Sequence, residues 1–299
     1  MDRFQAMSLF QPSNLRRAIS ESMDKETKRI NYHLLGTVLG VPHTTMARTL
    51  ALLGFDFVIV DAQHEPLDAE RMMQLIQTVN LSSQGKTVAI ARVPSVDSHL
   101  VTHALDAGAA GIIFPHVDTP DQAAEAVRKS RYACSGGDRS LAPSALIPSI
   151  AQLAPPGTSY QQVADNNIAV ICQIESPTGI ENAEAIATTP GVDLLMLGPG
   201  DLRLAMGLPS TPVGGKEDPC FVRAVNHLVQ VSRDSGTPCM AISFKVNTPP
   251  EWMAGFSVLC DCADLHSVMV DHMRKMRETE GLLKEVGSGR LSDVVQNGV

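Results

Sequence analysis

Two carboxylates follow apolar runs of this chain, at positions where a buried charge is costly unless a cation meets it. Glu175 comes directly after "IAVICQI", and Asp201 ends the turn "GPGD" that follows "VDLLML". Two acids at neighbouring strand ends resist ionisation unless a cation lies between them, and oxygen ligands favour a hard divalent ion such as Mg²⁺. A single carboxylate at a strand end more often caps a helix or pairs with lysine, but the pair beside a glycine-rich turn favours a metal site.

Other polar side chains follow four apolar runs: Asp61 and His64 in "VDAQH", Arg92 in "IARVP", His116 in "FPHV" and Gln173 in "VICQ". A permanently charged arginine suits a carboxylate or a developing enolate oxygen, although it can equally form an ion pair at a barrel rim. His64 can act as a base near neutral pH, and Asp61 can fix its tautomer if the loop folds back. A lone loop histidine is usually structural, so the argument depends on the whole group.

The turn Gly198, Pro199 and Gly200 stands where a strand changes into a helix. Backbone N–H groups at such a turn can bind an anion, so a substrate carboxylate is the expected ligand. Taken alone, glycines here indicate only a tight bend.

Eight short apolar runs, rich in branched residues, alternate with helical patterns along the chain. Continuous apolar runs are typical of strands buried on both faces, and eight strand–helix units predict a closed (β/α)8 TIM barrel. The carboxyl ends of the strands carry the chemistry in such barrels, which is where the polar residues above fall. The segment at residues 140–167 is too long for a plain loop and is predicted to cover the mouth of the site.

Three regions are predicted: a polar N-terminal arm over residues 1–30, a single barrel domain with a C-terminal helix over 31–285, and a flexible tail over 286–299. The segment "MVDHMRKMRETEGLLKEV" places Met269, Met273, Met276, Leu282 and Leu283 on roughly one helical stripe. The stripe extends beyond the needs of an eighth barrel helix, which predicts packing against another subunit.

Composition excludes several classes of function. The formal net charge of −8 with no basic cluster argues against nucleic acid as a partner. No uncharged apolar run approaches 18 residues, so neither a membrane span nor a membrane partner is expected. Six cysteines without a CxxC pair, several inside apolar runs, predict reduced thiols in a cytoplasmic protein, although "CDC" at residues 260–262 could hold a soft metal.

The motifs "GFDFVIVDAQHEPLD", "VAIARVP", "ALDAGAAGIIFPHV", "QIESPTG" and "GVDLLMLGPGDLRLAMG" resemble the successive signatures of the HpcH/HpaI aldolase family, in the right order from about Leu35 to Arg277. The resemblance implies a barrel of the phosphoenolpyruvate/pyruvate superfamily type and metal-dependent (class II) aldolase chemistry with Mg²⁺, Mn²⁺ or Co²⁺. It implies the following roles by position: Glu175 and Asp201 as metal ligands, Arg92 as the enolate-stabilising residue, His64 with its acidic partner Asp61 as the catalytic histidine, Gln173 with Gly198, Pro199 and Gly200 as the pyruvate-binding groups, and Asp106 as an acid near the subunit boundary.

Within this family, His116 and Tyr160 resemble the second-substrate residues of a fungal branch that acts in secondary metabolism. That branch decarboxylates oxaloacetate and adds the pyruvate enolate to a 2-pyrone. The resemblance therefore implies a small 2-oxo acid and a second carbonyl or pyrone as substrates. It also implies a homohexamer built from dimers that exchange the last helix.

Three departures from the family pattern are present. "AQH" replaces "GEH" before the histidine, Arg203 replaces a small residue and adds positive charge near the expected metal site, and "CDCADLHS" replaces a glycine-containing turn. Two alternatives stay open: a citryl- or malyl-CoA lyase relative, for which no basic surface for the nucleotide is evident, and a catalytically inactive barrel that acts in binding or assembly.

Overall fold

The computed structural model describes residues 1–5, 12–142, 154–246 and 250–289. Its strands, β1 to β8 in chain order, form one closed parallel barrel in which each strand pairs with its sequence neighbours and β8 pairs with β1. The eight predicted strands and the barrel are confirmed. The strands span Leu34–Leu39, Phe57–Asp61, Val88–Arg92, Gly111–Phe114, Ala169–Ile174, Leu194–Leu197, Cys239–Ile242 and Val258–Ala263.

Helices lie between the strands, before the first one and after the last one. Short 3₁₀ helices at Asp2–Phe4, Ala133–Ser135 and Ser243–Lys245 complete the described elements. In chain order, α1 to α12 span Leu15–Ser22, Thr44–Ala51, Ala69–Ser82, Leu100–Asp106, Pro120–Ser130, Tyr160–Asn167, Pro177–Glu181, Ala183–Ala187, Pro199–Ala205, Pro219–Ser235, Pro250–Met253 and Asp264–Glu285.

Local sequence signals set where several helices begin and end. Thr119 and Gln122 form a reciprocal capping box at the start of α5, with Pro120 in the first turn. Asp218 caps α10 by accepting a hydrogen bond from the Cys220 N–H, and Gly236 ends that helix in the left-handed region at φ 78°. These caps fix the lengths of the helices that cover the barrel.

Alternate residues of each strand enter two separate cores. Val58, Val60 and their counterparts face the helices, whereas Phe57, Ile59 and Ile90 fill the barrel interior. Because side chains alternate along a strand, Asp61 and Arg92 follow Ile59 and Ile90 on the interior side, at the carboxyl ends of β2 and β3. The barrel interior is therefore apolar below and charged at its mouth.

Helix α1 closes the amino end of the barrel, because Leu15, Ala18 and Ile19 are buried in the interior core. This differs from the polar arm predicted over residues 1–30. The apolar residues of "NLRRAIS" are few, but their helical spacing puts them on one side. A short amphipathic helix is hard to recognise in so polar a segment.

Helix α12 leaves the barrel with little contact: of its 22 residues, only Asp264 is buried. Met269, Met273, Met276 and Leu282 are between 42% and 63% exposed, as the predicted stripe requires. The predicted tail lies outside the described residues from 290 onward, as does the centre of the predicted cover over the mouth, residues 143–153. No helix among the described residues is long and apolar enough to cross a membrane.

Candidate active site

The two carboxylates lie at the ends of adjacent strands. Ile174 of β5 pairs with Leu197 of β6, so Glu175 and Gly198 are the next residues along each strand. Asp201 lies in the first turn of α9 and is exposed, whereas Glu175 is only 1% exposed. The site therefore combines a buried carboxylate with an accessible one.

Glu175 is held by neighbours on both sides. Its Oε1 accepts hydrogen bonds from the His116 backbone N–H at 2.8 Å and lies 3.2 Å from His116 Nδ1. Its Oε2 accepts from Gln173 Nε2 at 2.5 Å. Burial raises the pKa of Glu175, the hydrogen bond from His116 works against that rise, and the charge of Asp201 adds to it. A cation at this point would favour the ionised carboxylate.

The turn after β6 approaches these groups closely. A Cβ added at Gly198 would collide with the Glu175 carboxylate and lie 2.9 Å from Gln173 Nε2, so only glycine fits. The Gly198 N–H donates to the Ile174 carbonyl at 3.0 Å, and Pro199 has no N–H. Of the three residues predicted to bind a substrate carboxylate, Gly200 alone can therefore offer a free backbone donor.

Arg92 and Asp61 form a buried ion pair across β3 and β2. Arg92 Nε donates to Asp61 Oδ1 at 2.9 Å, and Arg92 Nη2 donates to Asp61 Oδ2. No hydrogen bond joins Asp61 to His64 among the described residues, and the Asp61 carboxylate also accepts from the Gln63 N–H at 3.1 Å. That Asp61 orients His64 stays a prediction. Adjacent strands place Asp61 and Arg92 directly opposite each other, which sequence order does not reveal.

His64 is exposed in the loop after β2, and no described residue hydrogen-bonds to its ring. His116 has a left-handed backbone at φ 53°, uncommon for a non-glycine residue, and its side chain is 60% exposed while it contacts Glu175. Both imidazoles lie at the carboxyl ends of the strands, where the sequence predicted them. His116 lies against a predicted metal ligand, a contact that the spacing of the two residues does not show.

Asp106 and Tyr160 lie at the opposite end of the barrel. Asp106 ends α4 ahead of β4, and its Oδ1 is 3.3 Å from Nη2 of the buried Arg139. Tyr160 begins α6 ahead of β5, and burial raises its pKa while Arg139 and Asp106 act on it electrostatically. The structure does not bring either residue to the Glu175 site of the same chain.

Arg203 does not add charge beside the carboxylates, contrary to the sequence expectation. Its side chain is buried, its Nη2 lies 2.6 Å from Glu217 Oε1, and its guanidinium carbon lies 4.1 Å from the centre of the Phe221 ring. The Nη1 group donates to the carbonyls of Pro199, Ser210 and Lys245 at 3.2–3.3 Å. Arg203 thus fixes the loops after β6 and β7.

Two acids that the sequence does not single out stabilise the loops around the site. Asp264 accepts hydrogen bonds from the Gly40 and Val41 N–H groups at 2.8 and 3.0 Å, which joins the ends of β8 and β1. Asp118 accepts from the hydroxyl of Ser176, which caps α7 directly after Glu175. The sequence "ESPTG" indicates that Ser176 caps a helix. It does not indicate that Asp118, in the loop after β4, accepts a hydrogen bond from Ser176.

The donor set fits a hard divalent ion with few protein ligands. No group of three or more His, Cys, Asp or Glu residues suited to a metal occurs within the described ranges. Glu175 and Asp201 supply two carboxylates, and the Oε1 of Gln173 is buried beside them without a hydrogen-bond partner among the described residues. Mg²⁺ commonly binds through one or two carboxylates and fills its other positions with water and substrate. Within those ranges "CDC" is not part of a group of three or more possible metal ligands either.

Comparison with known proteins gives a consistent result. Residues 38–254 match the family model described as HpcH/HpaI aldolase/citrate lyase. A hydroxypyruvate/pyruvate aldolase of Paraburkholderia phytofirmans is 31% identical over 262 residues, covering 85% of this chain and 94% of that protein. A 5-keto-4-deoxy-D-glucarate aldolase of Klebsiella pneumoniae is 31% identical over 204 residues, covering 68% of this chain and 75% of that protein.

Solved structures agree with the sequence comparisons. The crystal structure of macrophomate synthase has a TM-score of 0.79 at 28% identity and covers 95% of this chain and 94% of its own. A family member from Burkholderia cenocepacia has a TM-score of 0.75 at 26% identity, over 89% of this chain and 99% of its own. These similarities extend across the barrel and include the strands that carry the site.

Proposed function

Since the chain belongs to the HpcH/HpaI aldolase/citrate lyase family, we propose that it is a divalent-metal-dependent carbon–carbon lyase or synthase that works through a pyruvate enolate. The first substrate is a small 2-oxo acid, which loses CO₂ or an aldehyde. The enolate then adds to a second substrate with a carbonyl or pyrone group. Similarity to aldolases and to macrophomate synthase supports this scheme without naming the acceptor.

The observation that carries the proposal is the buried Glu175 beside Asp201. Burial raises the pKa of Glu175, and the nearby Asp201 charge raises it further, so the metal-free pair is electrostatically unsatisfied. An ion such as Mg²⁺, Mn²⁺ or Co²⁺ held by these two carboxylates would supply Lewis-acid stabilisation to a bound 2-oxo acid. Gln173 supports the pair by donating to Glu175 and by keeping one oxygen free.

Arg92 is oriented to stabilise an enolate. Asp61 engages its Nε and Nη2 groups, and Nη1 has no hydrogen-bond partner among the described residues. A guanidinium fixed on one side and open on the other presents a donor without having to reorganise during the reaction. Asp61 therefore acts as a positioning residue for Arg92, and the Gly200 N–H is the proposed donor to the substrate carboxylate.

The reaction can be written with oxaloacetate. The bond between C3 and C4 breaks, CO₂ leaves, and the electron pair stays on the remaining fragment as the C2–C3 double bond of the enolate. In the second half the C3 carbon attacks an electrophilic carbon of the acceptor, or takes a proton to give pyruvate. His64, exposed at the mouth, is the proposed group for moving protons directly or through water.

The acceptor side of the site is less fully formed within one chain. His116 lies at the mouth with most of its side chain exposed. Tyr160 and Asp106 lie at the other end of the barrel, so we assign them to the acceptor only through a neighbouring copy. The enolate half of the chemistry is therefore the part that a single subunit supports.

The test is oxaloacetate decarboxylation by the purified protein with and without EDTA, corrected for the rate of free metal. We expect activity with Mg²⁺ or Mn²⁺, loss with EDTA, and at least a ~100-fold loss in Glu175→Gln. Glu181→Gln, an exposed acid on the following helix, is the matched control and should keep full activity. Equal activity in Glu175→Gln and wild type would refute the assignment, and a protein without any activity would be the inactive binding barrel.

A further inference from the structure

A cavity lies at the end of the barrel opposite to Glu175. It has a volume of about 590 Å³ and is lined by Asp193 and Pro238, which directly precede β6 and β7. Helix α1 and the turn that follows it form its other wall. The cavity is therefore separate from the proposed catalytic site and plays no part in the chemistry above.

Positive charge dominates the wall of this cavity. Arg16, Arg17, Lys25 and Lys28 line it, and Asp193 is the acid among its lining residues. Four cations against one acid is the reverse of the whole chain, whose formal net charge is −8. A concentration of one sign of charge in a concave site attracts ions of the opposite sign.

Asp193 does not neutralise the lysines, because other groups occupy its carboxylate. Its Oδ1 lies 2.7 Å from Arg16 Nε, and its Oδ2 lies 3.4 Å from Arg131 Nη2. The same Oδ2 accepts a hydrogen bond from the Val170 N–H at 2.9 Å. Arg16 thus forms an ion pair with Asp193. Arg17 forms an exposed ion pair with Glu21 at 2.6 Å.

Lys25 and Lys28 have no ion pair within the described parts of the chain. A fixed turn carries them: Asp24 Oδ1 accepts hydrogen bonds from the Glu26 and Thr27 N–H groups at 3.0 and 2.6 Å. Lys28 acts on the Asp24 carboxylate electrostatically without forming an ion pair with it. Both ammonium groups therefore keep N–H donors available for a ligand.

The wall opposite to the lysines lets the Lys28 side chain come close, because it contains a glycine. A Cβ added at Gly236 would lie 2.9 Å from Lys28 Nζ, so a glycine there leaves room for the ammonium group. Ser20 and Asn166 also line the cavity, and within the described ranges no hydrogen bond to either side chain is recorded. Two free ammonium groups, a hydroxyl and an amide make a donor-rich surface around an open volume.

We propose that this cavity binds a small oxyanion with two or more negative charges, carried on a phosphate group or on several carboxylates. Ammonium groups act as point charges for either kind of oxygen, and hydroxyl and amide donors complete the coordination of the ligand. Arg16 holds its place through Asp193 and shapes the wall, whereas Lys25 and Lys28 provide the binding charge. The proposal is independent of the proposed catalytic function.

Calorimetric titration of the full-length protein with pyrophosphate and with citrate, at constant ionic strength, tests the proposal. No divalent metal is added, because both anions chelate such ions. The double variant Lys25→Gln/Lys28→Gln should bind the preferred anion at least ~10-fold more weakly than wild type. The control Lys86→Gln/Lys284→Gln removes the same charge from exposed lysines elsewhere and should bind like wild type.

The two anions distinguish the ligand classes, since tighter pyrophosphate binding indicates a phosphate ligand and tighter citrate binding a polycarboxylate. Lys25→Gln alone, at an exposed position, repeats the test if the double variant does not fold. Failure of wild type to bind either anion, or equal affinity in the pocket and control variants, would overturn the proposal. Loss of decarboxylase activity in Glu175→Gln is unrelated to either outcome.

Discussion

At the scale of single residues, the pairing of Arg92 with Asp61 decides how the site is organised. Two hydrogen bonds between buried partners fix the guanidinium plane, so Arg92 cannot turn to other acids at the mouth. His64 forms no hydrogen bond with the carboxylate that the sequence assigned to it. Among the described residues no side chain hydrogen-bonds to the His64 ring, so water, the substrate or a residue outside those ranges must orient it.

A double-mutant cycle distinguishes the two pairings. Asp61→Asn with Arg92→Gln should show a coupling energy of about 2 kcal/mol in unfolding experiments, because each single change leaves a buried partner unsatisfied. Asp61→Asn with His64→Asn should be additive within about 0.5 kcal/mol. Denaturant titration measures both cycles. Stronger coupling of Asp61 to His64 than to Arg92 would restore the sequence-based pairing.

The types of the site residues were predictable, but their partners were not. Continuous apolar runs in the sequence mark where each strand stops. The sequence therefore predicts that Glu175, Arg92, His64 and His116 lie at or just after strand ends, as they do. The partner of Arg203 was not predictable, since Glu217 lies in a loop whose path depends on tertiary packing. Charge placement along a sequence shows which groups exist and leaves open which of them meet.

At the scale of elements, the junction between β6 and α9 determines the geometry of the carboxylate pair. Gly198 continues β6 beside Glu175, and three residues later Asp201 stands in the first turn of α9. The absence of a side chain at Gly198 lets the turn pack against the Glu175 carboxylate. Gly198 does not have a positive φ, so another residue could adopt its backbone conformation. Glycine is needed there because a side chain would not fit.

Gly198→Ala should therefore weaken metal binding more than it harms the fold. The added methyl group displaces the Glu175 carboxylate, and displacing groups that orient ligands typically costs 10–100-fold in metal affinity. We expect a loss of about 10-fold or more in a Mn²⁺ titration without substrate. Gly200→Ala is the control, because nothing lies within 4 Å of its added Cβ. Equal affinities in the two variants would show that Gly198 does not shape the metal site.

Strands were easier to predict than the elements outside the barrel. All eight apolar runs became strands because burial on both faces leaves a clear signal in the sequence. Helix α1 was missed, because two arginines, a glutamate and two serines make its eight residues look polar as a whole. Its burial depends on the open end of the barrel. Such closure is a tertiary effect that periodicity alone cannot indicate.

At the scale of the whole molecule, α12 presents an apolar stripe that stays largely exposed among the described residues. Leu265, Val268, Met269 and Met273 are all at least 41% exposed. Burying this stripe against a second copy would remove substantial apolar area from water. We propose that it forms a subunit interface, with exchange of the last helix and a hexamer as the expected arrangement.

Light scattering tests the assembly. The intact chain should be oligomeric at micromolar concentration, and a chain truncated after Val268 should have a smaller mass. A full-length variant with Met269, Met273 and Met276 changed to glutamine keeps the helix while removing apolar area, and it should dissociate similarly. An exposed charge change, Lys284→Gln, is the control. A monomeric intact chain would contradict the interface.

The central claim is that the Glu175 site generates a pyruvate enolate with a divalent metal. Proton NMR in D₂O measures it without an acceptor, because an enolate takes up deuterium at the pyruvate methyl group. We predict methyl exchange with wild type and Mg²⁺ or Mn²⁺, its loss with EDTA, and at least a ~100-fold slower rate in Arg92→Ala. Exchange that is absent with metal, or that continues unchanged in EDTA and in Arg92→Ala, would contradict the account.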